Sequence, residues 1–424
     1  MQDEPSPGWR ATRLTFADEP IETVDQPARP LRLLRGFGSG LAVRPGDPPS
    51  VAWAVGDRGP NIEIEDMIER YGRDDLAHLD EHKGAKVMPR VDVGPALAEL
   101  RLEDGAVRLV RRVPLTGDDG EPISGCPAHG ERGAIEPAFD LAGERLAPDP
   151  SGADTEGIVA LADGTFWIGD EFGPSLLHVS AEGRVLERRV PAGQEALFAG
   201  ARYPVTPCLP ALAARRRLNR GFEALAASAD ERWLHLAFQS PLAHPDEEST
   251  ARSRLVRVWR LDLATGTLDR QWLYELDPPE GYARDAAKRG KPVKIDNVKL
   301  SEAAMAGPDV LLLLERVSET TRIYRVRLTE ALALPPEHRE EAHRPTPEEL
   351  DRGALPVRPL PKTLLFDSDR DTSVGADLEG MAVLDDRRLL LVNDNDFGVE
   401  GAETGFWLIE FDAPLSGTDG EQER

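Results

Sequence analysis

The chain has 424 residues, 76 acidic and 51 basic, for a formal charge of −25 at neutral pH. That balance argues against nucleic acid or an anionic membrane surface as the main partner, since both are polyanions; it suits a protein that gathers cations, or one that is simply well solvated. Cys126 and Cys208 are the only cysteines; they fit no zinc spacing and leave open one disulfide or two free thiols, and no apolar run reaches the length of a membrane span.

Residues 1–30 are rich in Pro and acid and read as a flexible arm. They lack the basic-then-apolar layout of a secretory leader. The compartment therefore stays open: periplasmic or secreted if a leader has been trimmed, cytoplasmic otherwise. Residues 31–412 read as one domain and 413–424 as a frayed tail. Residues 31–35 are a strand candidate that would close the domain. Gly38-Ser39-Gly40 opens a strand pair that ends in Asp57-Arg58. Residues 62–90 are polar, with Ile64, Met67, Ile68 and Tyr71 at helical spacing, and predict an insertion with a short helix. Residues 97–102 and 107–113 flank Glu103-Asp104-Gly105 and predict a hairpin.

The most telling stretch starts at Asp154-Thr155-Glu156-Gly157. An apolar run follows, then an Asp163-Gly164 turn, Phe166-Trp167-Ile168, and Asp170-Glu171. Glycine takes the positive φ that the tight turn needs, and β-branched and aromatic residues suit the strands. The two open ends of a hairpin lie side by side, so Glu156 should meet Asp170 and Glu171. The pattern recurs. Gly221-Phe222-Glu223 leads to Gln239, Ile295-Asp296-Asn297 leads to Glu315-Arg316, and Leu378-Glu379-Gly380 leads to Asn393-Asp394-Asn395-Asp396. With the Gly38 copy there are five, spaced by about 65–80 residues, which indicates one supersecondary unit per copy. About twenty strand candidates and little helix predict an all-β propeller of about six or seven four-stranded blades, with short helical insertions.

In one frame the copies put Glu156, Glu223, Asp296 and Glu379 at the start of an inner strand. Asp57, Asp170, Glu171, Glu315 and Asp394 fall near the end of the next. A propeller brings such positions toward its axis, and crowded carboxylates repel unless protons or a cation neutralise them. An all-oxygen donor set fits Ca²⁺ or another hard divalent ion. The candidate ligands are Asp57, Glu156, Asp170, Glu223, Asp296, Glu315, Glu379 and Asp394. Such an ion orients water for attack on an ester, which makes Glu156, Asp170, Glu171 and Glu379 the catalytic candidates. Arg58, Arg220, Lys299, Arg316 and His178 are candidates to hold a small anionic substrate. The competing reading is that each Glu accepts backbone N–H bonds from a neighbouring blade and each base pairs with an acid. Ser39 lacks the spacing of a nucleophile elbow.

Several of these blocks resemble the phytase-like β-propeller family, described as having esterase-like activity of phytase. The likeness is carried by Gly38-Ser39-Gly40-Leu41 with Asp57-Arg58-Gly59-Pro60, and by Pro114-Leu115-Thr116 leading to Gly125-Cys126-Pro127. It is strongest in Asp154-Thr155-Glu156-Gly157-Ile158 with Asp170-Glu171-Phe172-Gly173-Pro174. It continues in Asn219-Arg220-Gly221-Phe222-Glu223, Leu314-Glu315-Arg316, and Leu378-Glu379-Gly380 with Asn393-Asp394-Asn395. The resemblance spans residues 36–411 and implies a propeller, hydrolysis of phosphoric or other esters, and often export. The third copy departs from the pattern, with Glu223-Ala224 where Glu-Gly is usual and Gln239 in place of an acid. Two alternatives stand beside the hydrolase: a non-catalytic propeller that binds a ligand or protein, and a lactonase.

Overall fold

The structure is a computed structural model that describes residues 8–130 and 135–417. Residues 1–7 of the expected arm and 418–424 of the expected tail lie outside the described residues. Five sheets of four or more strands stand around a common axis, so the propeller has five blades where six or seven were expected. Blade one is Gly40–Ala42, Val51–Val55, Ala96–Glu103 and Ala106–Pro114. Blade two is Thr155–Ala160, Phe166–Asp170, Ser175–Val179 and Val185–Pro191, with Val205–Leu209 added in parallel outside it. Blade three is Phe222–Ala227, Trp233–Phe238, Leu255–Asp262 and Leu268–Glu275. Blade four is Lys299–Gly307, Val310–Arg316, Thr321–Arg327 and Lys362–Asp367. Blade five is Leu378–Asp385, Arg388–Asn393 and Phe406–Phe411, completed by Trp9–Leu14 from the other end of the chain.

The first strand of each blade is innermost, and each inner strand packs on the next until blade five meets blade one. Each of the five sequence copies is thus the inner hairpin of one blade. The second strands are also covered on both faces, which is why Val51–Val55 and Val310–Arg316 are buried throughout and residues 51–55 and 310–314 read as continuous apolar runs. The core lies between blades. Trp53, Phe166 and Ile168 fill the space from blade one to two; Trp167, Phe222, Trp259 and Trp272 help fill the space from two through four. Leu312, Phe366 and Trp407 join four to five, and Leu390, Phe406 and Leu100 join five to one.

Two expectations are corrected here. Residues 9–14 are not part of a loose arm: they pair antiparallel with the last strand, from Trp9 opposite Phe411 to Leu14 opposite Phe406. Residues 31–35 do not close the ring. Leu31–Leu34 pairs with Pro20–Val24 in a small sheet apart from the blades, whose apolar faces pack with Ile64, Met67, Tyr71, Val87 and Phe139. The helix expected in the insertion, which interrupts blade one between its second and third strands, is Ile64–Tyr71, ended by Gly72 in the left-handed region. Both cysteines are free thiols.

Candidate functional site

The inner strands of blades two to five share one irregularity. Their pairing register slips between Thr155 and Ile158, Phe222 and Ala224, Leu300 and Glu302, and Leu378 and Gly380. A β-bulge turns a side chain out of the pleat. The residues it turns are Glu156, Glu223, Ser301 and Glu379. Gly157 is required beside the first bulge, because a methyl group there would overlap the Glu223 carbonyl oxygen. Blade two thus presses backbone to backbone on blade three and brings Glu156 toward Glu223.

Two groups of carboxylates result, with the oxygens of each group within 4.8 Å of one another: Asp57, Asp154 and Glu156, and then Glu156, Glu171 and Glu223. Glu156 belongs to both. Asp154 is fully buried and Glu156, Glu171 and Glu223 are nearly so. Burial is the main cause that holds the carboxyls of Asp154 and Glu156 well above the usual carboxylate range, with neighbouring acids adding to it. Burial, then the charge of Glu223, pushes Glu171 up to about 8. Asp154 Oδ1 and Glu223 Oε2 are buried with no hydrogen-bond partner. Gln239, which stands where the other copies suggest an acid, donates its amide to Glu171 Oε1 at 3.0 Å.

A buried oxygen without a donor is costly, and it is what a cation would satisfy. All donors are carboxylate oxygens, so the set fits a hard divalent ion such as Ca²⁺ and offers nothing to a soft one.

The remaining candidates sort by what they touch. Asp170 is spent inside blade two: Oδ1 accepts from the Asp154 N–H at 2.8 Å, and Oδ2 accepts from Ser175 Oγ at 2.8 Å and from Arg188. Glu315 is likewise consumed by the hydroxyls of Tyr282 (2.6 Å) and Tyr274 (2.7 Å), the Asp277 N–H (2.8 Å) and Lys362 (2.9 Å). Neither belongs to the two acidic groups, and both oxygens of each already have donors. Asp296 lies before the fourth inner strand, largely exposed and paired with Arg217 at 2.6 Å. Its assumed place at the bulge is held by Ser301, whose hydroxyl accepts from Arg316 Nε at 2.8 Å. Glu379 is at a bulge but pairs with Arg316. Asp394, pushed up to about 6 by burial and then by Asp57, accepts from Ser39 Oγ at 3.0 Å and the Asp396 N–H at 2.9 Å. His178 is at the far end of blade two, stacked on Trp167 and bonded to Thr165 in the hairpin turn.

Arg58 is buried against the first acidic group. It pairs with Asp154, with Glu136 at 2.6 Å and with Asn219 Oδ1 at 2.8 Å, and so serves as a fixed counter-charge. Arg220 and Lys299 are different. Both act electrostatically on Glu171. Among the described residues neither has a carboxylate within ion-pairing distance, and the hydrogen bond of Arg220 goes to the neighbouring Asn219 carbonyl.

Two residues were not among the sequence candidates. Asp154 was legible as part of the Asp-x-Glu-Gly block. Glu302 had no signal. It is fully buried, and it accepts the N–H of Leu41 in blade one at 3.1 Å and of Ala303 in blade four at 3.0 Å.

A curated relative, described as an uncharacterized secreted protein of Arthroderma benhamiae, is 28% identical over 273 residues, 55% of this chain and 50% of its own length. The chain thus spans half the length of that relative. Among solved structures, the PQQ-bound aldose sugar dehydrogenase of Streptomyces coelicolor is 13% identical, with 96% of this chain and 100% of that one covered and a TM-score of 0.34. A gluconolactonase of Xanthomonas campestris is 10% identical, with 96% and 99% covered and a TM-score of 0.30. The family model described as Phytase-like, esterase-like activity of phytase, matches residues 33–397, and the chain belongs to that family.

Proposed function

We propose that the protein is a divalent-cation-dependent hydrolase of esters, phosphoric esters first, working where Asp57, Asp154, Glu156, Glu171 and Glu223 converge. The observation that carries this reading is the pair of buried carboxylate groups with the unpartnered oxygens of Asp154 and Glu223. When bound, a cation such as Ca²⁺ supplies Lewis acidity toward an ester oxygen and toward water. Glu156 and Glu223 would hold the ion. Glu171 exchanges a proton with the reacting group. Lys299 and Arg220 hold the anionic part of the substrate beside the acids. Arg58 keeps Asp154 in place and does not contact substrate. Family membership supports ester hydrolysis, and the description of the fungal relative as secreted supports export.

The test is calorimetric and elemental measurement of Ca²⁺ uptake by protein stripped with a chelator, followed by assays on phosphate esters, carboxyl esters and lactones with and without the ion. The expected result is stoichiometric uptake, ion-dependent turnover, and at least about tenfold weaker uptake in Glu156→Gln and Glu223→Gln. Uptake without turnover of any ester would point to a binding propeller. Absence of uptake at millimolar ion would sink the proposal.

A further inference from the structure

We infer that the site takes a substrate bearing a single phosphate and excludes polyphosphorylated ones, an inference that rests on the ester-hydrolase reading above. The argument starts from which cations are free. Arg58 is committed to Asp154, Glu136 and Asn219. Arg316 is committed to Glu379, to Asp377 at 3.1 Å and to Ser301. Arg188 is buried on Asp170. Arg216 is bonded to the Phe172 and Arg217 carbonyls. That leaves Lys299 and Arg220, among the described residues, as cations at this site without a carboxylate partner. Gly221, next to Arg220, packs against the backbone of Glu171, and Leu300, next to Lys299, donates its N–H to the carbonyl of Gln239, whose amide bonds Glu171, so the two bases share the neighbourhood of Glu171 and act on it electrostatically. Lys299 supplies a point charge, and the guanidinium of Arg220 supplies a planar fork. Together they match one phosphate dianion held against the acids by a divalent ion.

The surroundings have the opposite sign. Three ion pairs border this place, and in each the base is covered while the acid faces water. Glu63 is 63% exposed over Lys86 at 13%. Asp296 is 63% exposed over Arg217 at 13%. Asp377 is 41% exposed over Arg316 at 3%. Glu63 lies close enough to Arg220, and Asp377 close enough to Lys299, to feel their charge. A second phosphate on the same substrate would therefore meet the exposed carboxylates of Glu63, Asp296 and Asp377, in a protein of net charge −25. Like charges brought together in this way weaken binding.

The experiment uses the full chain saturated with Ca²⁺. Calorimetry compares inorganic phosphate, glycerol phosphate and inositol hexakisphosphate as ligands, and turnover is measured for the two esters. The single-phosphate ligands are expected to bind at least about tenfold more tightly than the hexakisphosphate at equal free Ca²⁺. Lys299→Met and Arg220→Met are expected each to weaken glycerol phosphate by about tenfold or more and to leave hexakisphosphate affinity within about twofold. Circular dichroism confirms that both variants fold. Equal or tighter binding of the hexakisphosphate, lost in the same variants, would overturn the inference and leave the hydrolase reading intact. Single-phosphate binding without turnover of either ester would support the inference while the hydrolase reading fails.

Discussion

A carboxyl group buried among other carboxyl groups must keep its proton or acquire a cation. Glu171 shows the consequence for stability. In the folded chain it holds its proton to about pH 8, whereas unfolded it would lose it near the ordinary 4.5. The folded state thus binds the extra proton between those values, so stability is highest below the unfolded value and falls as pH rises toward 8, by up to about 1.4 kcal/mol per pH unit for one such group. Asp154 and Glu156 are displaced in the same direction. Cation-free protein should therefore melt at progressively lower temperature from about pH 5 to about pH 8, and saturating Ca²⁺ should remove most of that slope by replacing the protons. Thermal melts across this range, with and without the ion, check it; a flat profile in stripped protein would contradict the burial argument. At this scale the sequence exposed Asp57, Glu156, Glu171 and Glu223, because each sits at the open end of a recurring strand–turn–strand pattern. It misplaced Asp296, because the fourth inner strand starts later and its bulge carries Ser301. Asp170 and Glu315 looked like ligands from spacing alone; nothing in the sequence reveals that Arg188 or a pair of tyrosines consumes them.

At the level of the strand, the bulge aims an acid at the axis and Glu302 fixes where the strand can lie. Its carboxyl group accepts the amide of Leu41 in blade one as well as that of Ala303 in its own strand, so it ties blade four to blade one. Glu302→Ala leaves the amides of Leu41 and Ala303 without this acceptor, at about 1–3 kcal/mol each, and opens a small void. Urea unfolding should show a loss of that order, and formate, which is small enough to enter the void, should restore part of it. An unchanged midpoint would remove Glu302 from this role. Nothing in the residue pattern marked it, since a Glu inside a strand reads as an exposed face. The helix Ile64–Tyr71 was legible by contrast, because four apolar residues at 3.6-residue spacing can face one way only on a helix.

Across the whole molecule, the repeat carried the blade count. Five copies of the hairpin are five blades, and about twenty strand candidates at four per blade lead to the same number, so the expectation of six or seven exceeded both. Trp9–Leu14 was missed because a strand that pairs on one side only, with a burial pattern alternating between exposed and half-covered, resembles a polar arm. Deleting residues 1–15 should uncover the edge of Phe406–Phe411, lower and broaden the thermal transition, and promote self-association, since an open edge invites another strand. Scanning calorimetry with light scattering checks this; an unaltered transition would mean the closing strand contributes little.

The union of the two chain ends in blade five also sets a schedule for synthesis. Residues 9–14 leave the ribosome early, yet their partner, residues 406–411, is made almost last. Until then the first segment has nowhere to dock and the circle stays open, so four blades can form in turn while the fifth waits for translation to finish. Pairings that join such remote parts of a polypeptide are slow to form. A long-lived open form is the natural prey of proteases and chaperones, and it is also the form that an export channel could still thread.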